Sequence, residues 1–178
     1  LTVGIGELGI DHDNGAKAAA NGIPFMPMGM VYTPCDDILS RISQEKLEAM
    51  VISLAKANAN TLVISGSGGF ADERLLSACD RHGIAVIQEL PYGKENSAIT
   101  PESYKAGIVS SLKRIAHHPC LLALADSLRM DGTGEIMALA KNTAPSISFL
   151  SYDKYAEIST VSYPSFPDDN TLYDFVDR

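Results

Sequence analysis

The chain has 178 residues, 46% of them hydrophobic and 20% charged, with a formal net charge of −8. That length and balance fit a folded globular chain with one core and exclude a disordered one. The negative charge, with no basic run longer than Lys113-Arg114, excludes a nucleic-acid partner and adhesion to an anionic membrane, and no apolar run of about 18 residues is present to insert into a bilayer.

Residues 1–20 are Gly-rich and then Ala-rich, with no helix following, and read as the tail of a preceding domain or a linker. Phe25 to Val31 is a short apolar run interrupted by Pro27, read as a strand end. From Ser43 to Asn58, Leu47, Met50, Val51 and Leu54 recur at helical spacing behind Ser43 as N-cap. Thr61 to Ser65 is β-branched and apolar, a buried strand, and Gly66-Ser67-Gly68-Gly69 breaks it. A helix from about Asp72 to His82 buries Leu75, Leu76 and Cys79 and stops at Gly83. Ile84 to Leu90 is the next strand. Pro101 to His117 is a helix with Tyr104, Ile108, Leu112 and Ile115 on one face, Pro101 in its first turn and Thr100 as cap. Leu121 to Ala125, Ser146 to Leu150 and Ile158 to Tyr163 follow as strands, with helices over Glu135 to Lys141 and Asn170 to Val176.

Strands alternating with helices at this spacing predict an α/β fold of βαβ units around a parallel sheet. An open wound sheet and most of an eight-stranded barrel both satisfy the pattern, since right-handed crossovers permit each. Cys35, Cys79 and Cys120 are odd in number and far apart, which predicts buried free thiols rather than a metal site or disulfide framework. Adjacent His117 and His118 point in different directions and have no third ligand in spacing, so helix-end packing or capping is expected and no metal. Gly66 to Gly69 lacks both the Lys of a P-loop and the G-x-G-x-x-G spacing, and no cofactor is expected.

Several motifs then fall in one order. Asn21-Gly-Ile-Pro-Phe-Met-Pro-Met-Gly29 has the form N-G-x-P-F-x-x-x-G, and Tyr32-Thr-Pro-Cys-Asp36 follows. Leu54-Ala-Lys-Ala-Asn-Ala-Asn-Thr-Leu62, Ser65-Gly-Ser-Gly-Gly69, Cys79-Asp-Arg-His-Gly-Ile84 and Arg114 to Pro119 come next, with a weaker echo from Lys141 to Ser146 and a final one from Ser159 to Pro164. Together these resemble the barrel domain of family 2 glycoside hydrolases, above all its β-mannosidase branch. Val3 to Ile10 resembles the last strand of the β-sandwich that precedes that barrel. The resemblance implies two units, the sandwich tail over 1–20 and a (β/α)8-type TIM barrel over 21–178, incomplete at about six βα units. Function is then expected at the carboxyl ends of the strands.

Retaining glycosidases need two carboxyl groups about 5–5.5 Å apart, one a proton donor and one a nucleophile. The resemblance implies a donor Glu after strand four, and counting from His118-Pro119 places Arg129 there, or Ser127 with a two-residue slip. An arginine stays charged at all working pH values and cannot act as the acid. The nucleophile is implied at the end of strand seven, which the spacing leaves beyond residue 178; an alternative alignment places Thr160 at that position, a poor nucleophile without a base. Val63 and Ser65 stand where the family has Arg and Trp. The expectation is an impaired or inactive barrel that binds glycan or serves as a structural module, with an active retaining exo-β-glycosidase as the alternative.

Asp126 and Glu89 are the acids left near the ends of strands four and three, and are weak catalytic candidates. Candidate sugar contacts are Asp36, Tyr32, Glu89, Tyr92 and Tyr163, with Phe70 a further strand-end aromatic. The expected partner is carbohydrate. A six-stranded segment has open edges, which calls for a homodimer or a covering domain of a longer protein. No targeting segment is visible, and the compartment, periplasmic or secreted included, stays open.

Overall fold

The computed structural model describes residues 7–11, 17–32, 34, 36, 38–91, 101–126, 133–151 and 153. In chain order these form strands β1 (Leu8–Asp11), β2 (Lys17–Ala20), β3 (Ile23–Phe25) and β4 (Gly29–Tyr32), then helix α1 (Gln44–Lys56) and strand β5 (Thr61–Ile64). Helix α2 (Glu73–His82), strand β6 (Ala85–Glu89), helix α3 (Pro101–Ile115), strand β7 (Leu121–Ala125), helix α4 (Thr133–Thr143) and strand β8 (Ser148–Leu150) follow. Strands β4 to β8 make a parallel sheet in sequence order, and β1 to β3 make a separate antiparallel one.

The local signals explain the elements. The Ser43 side chain accepts from the Lys46 N–H and opens α1, because the first N–H groups of a helix have no partner inside it. Asp72 does the same for α2 through the Arg74 N–H. Gly83 ends α2 at φ 69°, a left-handed conformation that costs glycine little. Strands β5 and β7 are buried at every position, which is why they read as unbroken apolar runs: both faces of the sheet are covered.

One face packs on the helices. Leu62, Ile64, Val86 and Leu124 meet Val51, Leu54, Leu75, Leu76, Ile108 and Leu112 in a single cluster. The other face is covered by the small antiparallel sheet, where Ile10 and Ala18 join Val63, Ile87, Ala123, Ala125 and Leu150. The Ile10 N–H donates to Ser148 Oγ at 3.1 Å, tying β1 to β8 across 138 positions. The stretch read as the tail of a preceding domain thus contributes β1 and β2 to this layer.

Several boundaries differ from the sequence reading, α1 and α3 each ending two residues earlier. The run Phe25 to Val31 is two strands, one ending antiparallel at Phe25 and one starting parallel at Gly29. Asn60 bridges the break between them: its Oδ1 accepts from the Met28 N–H and its Nδ2 donates to the Met26 carbonyl. Strand β8 starts at Ser148 rather than Ser146, because the Ile147 N–H closes a turn onto the Ala144 carbonyl. Helix α4 runs two residues further at each end than its apolar face indicates. The Thr100 cap, the strand over 158–163 and the helix over 170–176 lie outside the described residues.

Candidate functional site

The carboxyl ends of β4 to β7 lead into the segments that precede α1 to α4, the end where parallel β/α folds place their chemistry. Glu89 is the last residue of β6 and stands opposite Ala125 of β7. Its Oε2 accepts from the Gly66 N–H at 2.9 Å, so the carboxylate holds the first residue of a tight 3-10 turn over Gly66–Gly68. Gln88, one position earlier, is fully buried. Its Oε1 accepts from the Ala71 N–H at 2.9 Å, and its Nε2 donates to the Gly69 carbonyl at 3.0 Å and the Glu89 carbonyl at 2.7 Å. Ser65 and Ser67 face each other across the same turn, Oγ to Oγ at 2.8 Å.

Asp126 directly follows β7, and its N–H donates to the Leu150 carbonyl at 2.9 Å, extending the pairing with β8. It is half-buried. Burial raises the Tyr104 phenol above its ordinary pKa, and the charge of Asp126 adds to the effect; the phenol itself donates to the Pro91 carbonyl. Glu89 and Asp126 therefore sit at the ends of neighbouring strands.

The other sequence candidates are placed differently. Asp36 accepts from the Ile38 N–H at 2.8 Å, an Asx turn in the loop after β4. Tyr32 ends β4 in register with Ile64, and both Tyr32 and Phe70 pack against the helix-side core. Side chains alternate along a strand, so Tyr32 belongs to the sheet face opposite that of Glu89. Tyr92, Tyr163, Arg129, Ser127 and Thr160 lie outside the described residues.

At the opposite end of the sheet, Asp80 of α2 holds the start of β7 with both oxygens. Its Oδ2 meets His118 Nδ1 at 2.7 Å and its Oδ1 accepts from the Cys120 N–H at 2.9 Å. His118 is buried against this staple while His117 stacks beside it. Cys79 and Cys120 are free and buried, and burial first, then the nearby charge of Asp80, pushes the Cys79 thiol up to about 12. A cavity of about 620 Å³ opens between these residues and the antiparallel sheet, lined by Leu8, Phe25, Cys79, Asp80, Ile84 and Cys120 among others. It lies at the amino ends of the strands, away from Glu89 and Asp126. In the sequence, Asp80 stands only as a letter of the Cys79 to Ile84 motif and Gln88 only as a position within the Ile84 to Leu90 strand. A buried polar residue inside an apolar strand was the available signal for Gln88, since such a group has to be hydrogen-bonded.

No protein-family profile matches the chain. The β-mannosidase of Rattus norvegicus is 27% identical over 105 residues, which is 57% of this chain and 12% of that protein. The β-D-mannosidase of Dictyoglomus thermophilum superposes on 84% of this chain with a TM-score of 0.68 at 18% identity, using 22% of its own length. The chain is similar to part of a family 2 glycoside hydrolase. The exo-chitosanase of Amycolatopsis orientalis shares the fold too, with a TM-score of 0.66 over 83% of the chain at 15% identity. This family 2-like domain thus spans about an eighth of the curated relative and about a fifth of the solved ones. Among the described residues no helix is long and apolar enough to cross a membrane.

Proposed function

We propose that this domain is a segment of a (β/α)8-type barrel that binds carbohydrate, or supports a neighbouring glycan-handling domain, without hydrolysing glycosidic bonds. The observation that carries the reading is the commitment of Glu89. The acid at the end of β6 spends its Oε2 on the Gly66 N–H, and the chain after Asp126 reads Ser127-Leu128-Arg129 where a proton donor is needed. A retaining hydrolase requires a matched pair of carboxyl groups, one of them able to deliver a proton, and an arginine cannot do so.

The test is incubation of the protein with p-nitrophenyl β-D-mannopyranoside, chosen because β-mannosidases are among the relatives, with release of p-nitrophenol followed by absorbance. No release above the buffer rate is expected. Detectable turnover supports the second reading, an active retaining exo-β-glycosidase, which the neighbouring strand-end acids Glu89 and Asp126 favour; Asp126→Asn would then abolish it. Asp36 is proposed as a rim contact to the sugar, and a homodimer or a covering domain as the partner for the sheet edges.

A further inference from the structure

We propose that Glu89 is a positioning residue: its carboxylate fixes the Ser65–Gly69 turn so that the turn, and not the carboxylate, meets the hydroxyl edge of a neutral sugar. The turn is held from three sides. Glu89 Oε2 takes the Gly66 N–H at 2.9 Å. Gln88, from the other face of the same strand, takes the Gly69 carbonyl and the Ala71 N–H. Pro34 closes on Gly68 so tightly that a Cβ there would lie 2.8 Å from its Cδ. Consecutive residues of a strand point to opposite faces, so Gln88 and Glu89 together clamp both ends of one short loop.

The chemistry of the clamp fits a positioning role. A carboxylate accepting a backbone N–H at the start of a turn makes a charge-assisted bond, strong enough to order residues that are mostly glycine and otherwise lose much conformational freedom on folding. The ordered product is a hydroxyl pair: Ser65 Oγ accepts from the Ser67 N–H at 3.3 Å and lies 2.8 Å from Ser67 Oγ. Ser67 is exposed, leaving its hydroxyl able to donate to and accept from a sugar hydroxyl. Acids at the ends of both β6 and β7 disfavour a uronate at this end of the sheet by like-charge repulsion. The assignment rests on the carbohydrate-binding reading above.

The experiment uses the full chain with Glu89→Ala and Glu89→Gln. Amide hydrogen exchange at Gly66 is read by NMR, with Val86 as an internal reference for global stability. Glu89→Ala is expected to speed Gly66 exchange at least ~10-fold while Glu89→Gln, whose amide oxygen still accepts, stays within ~5-fold of the parent. Equal exchange in Glu89→Ala and the parent overturns the proposal, as does Glu89→Gln behaving like Glu89→Ala. Calorimetric binding of p-nitrophenyl β-D-mannopyranoside is the second arm. Binding retained in Glu89→Gln and lost in Glu89→Ala is the expected result. Binding lost in both, with Gly66 protection intact in Glu89→Gln, makes the carboxylate a sugar ligand and sinks the proposal. If the parent does not bind, carbohydrate recognition fails and the sugar-facing clause falls with it, while exchange still decides whether Glu89 positions the turn.

Discussion

Asp72 does two jobs at one position. It caps α2 through the Arg74 N–H and pairs with the Arg74 guanidinium at 2.6 Å. Those hydrogen bonds from Arg74, acting against partial burial, hold the Asp72 carboxyl below its ordinary pKa of 3.8. A carboxyl group with a depressed folded pKa adds stability above its unfolded pKa and loses it as pH falls through the folded value. Asp72→Asn keeps a capping oxygen and removes the charge, so at pH 7 it should cost about 0.5–1 kcal/mol, the range of a partly exposed pair. The gap between parent and variant should stay constant from about pH 5 to 8 and close below about pH 3.8. Urea denaturation at pH 7 and pH 3 measures it, and a gap that persists undiminished at pH 3 shows that the charge is not the cause. Gln88 teaches the opposite lesson about legibility. In Val86-Ile87-Gln88-Glu89 a polar residue inside a strand read through Leu90 signals a hydrogen bond, but nothing local reveals that its partner is a loop seventeen residues away.

Elements with local causes were legible, and those set by distant neighbours were not. Ser43, Asp72 and Gly83 bracket α1 and α2 where capping chemistry places them, because a cap is a contact within four residues. The break inside Phe25 to Val31 depends instead on Asn60, more than thirty positions on, which no periodicity over the run can register. Gly29, at the start of β4, shows how close that junction is. A Cβ on Gly29 would lie 1.6 Å from the Thr61 carbonyl oxygen, its partner in the parallel register. Gly29→Ala must therefore push β4 off β5, and the expected cost is about 3 kcal/mol, at the upper end of ordinary overpacking because the obstacle is backbone. Chemical denaturation compared with the parent checks this. A loss under about 0.5 kcal/mol, the scale of a neutral surface substitution, would falsify the claimed contact between β4 and β5.

At the scale of the molecule, the parallel sheet is the middle layer, with helices on one face and the β1–β3 sheet on the other. The helix-side layer was readable because its apolar residues recur at helical spacing. The second cover was not, since Ala18 is a small residue whose role comes from packing with Ile10 against Ile87 and Ala123 rather than from bulk. The same blindness applies to the candidate site: Glu89 and Asp126 could be placed at strand ends from sequence, but the partner that takes up Glu89 is a backbone N–H, which has no letter in the sequence. The layered arrangement makes a prediction about cooperativity. Ile10 is buried in the second cluster, and its N–H reaches Ser148 Oγ at the far strand of the parallel sheet. If the small sheet is an integral cover, Ile10→Ala opens a cavity felt by both sheets and should cost about 2–4 kcal/mol. Amides of β1 and of β7 should then lose protection by the same free energy, and far-UV circular dichroism and tyrosine fluorescence should give coincident transitions. Loss confined to β1 and β2, with β7 protected as in the parent, would instead mean that residues 8–20 are a separate flap resting on a self-sufficient sheet.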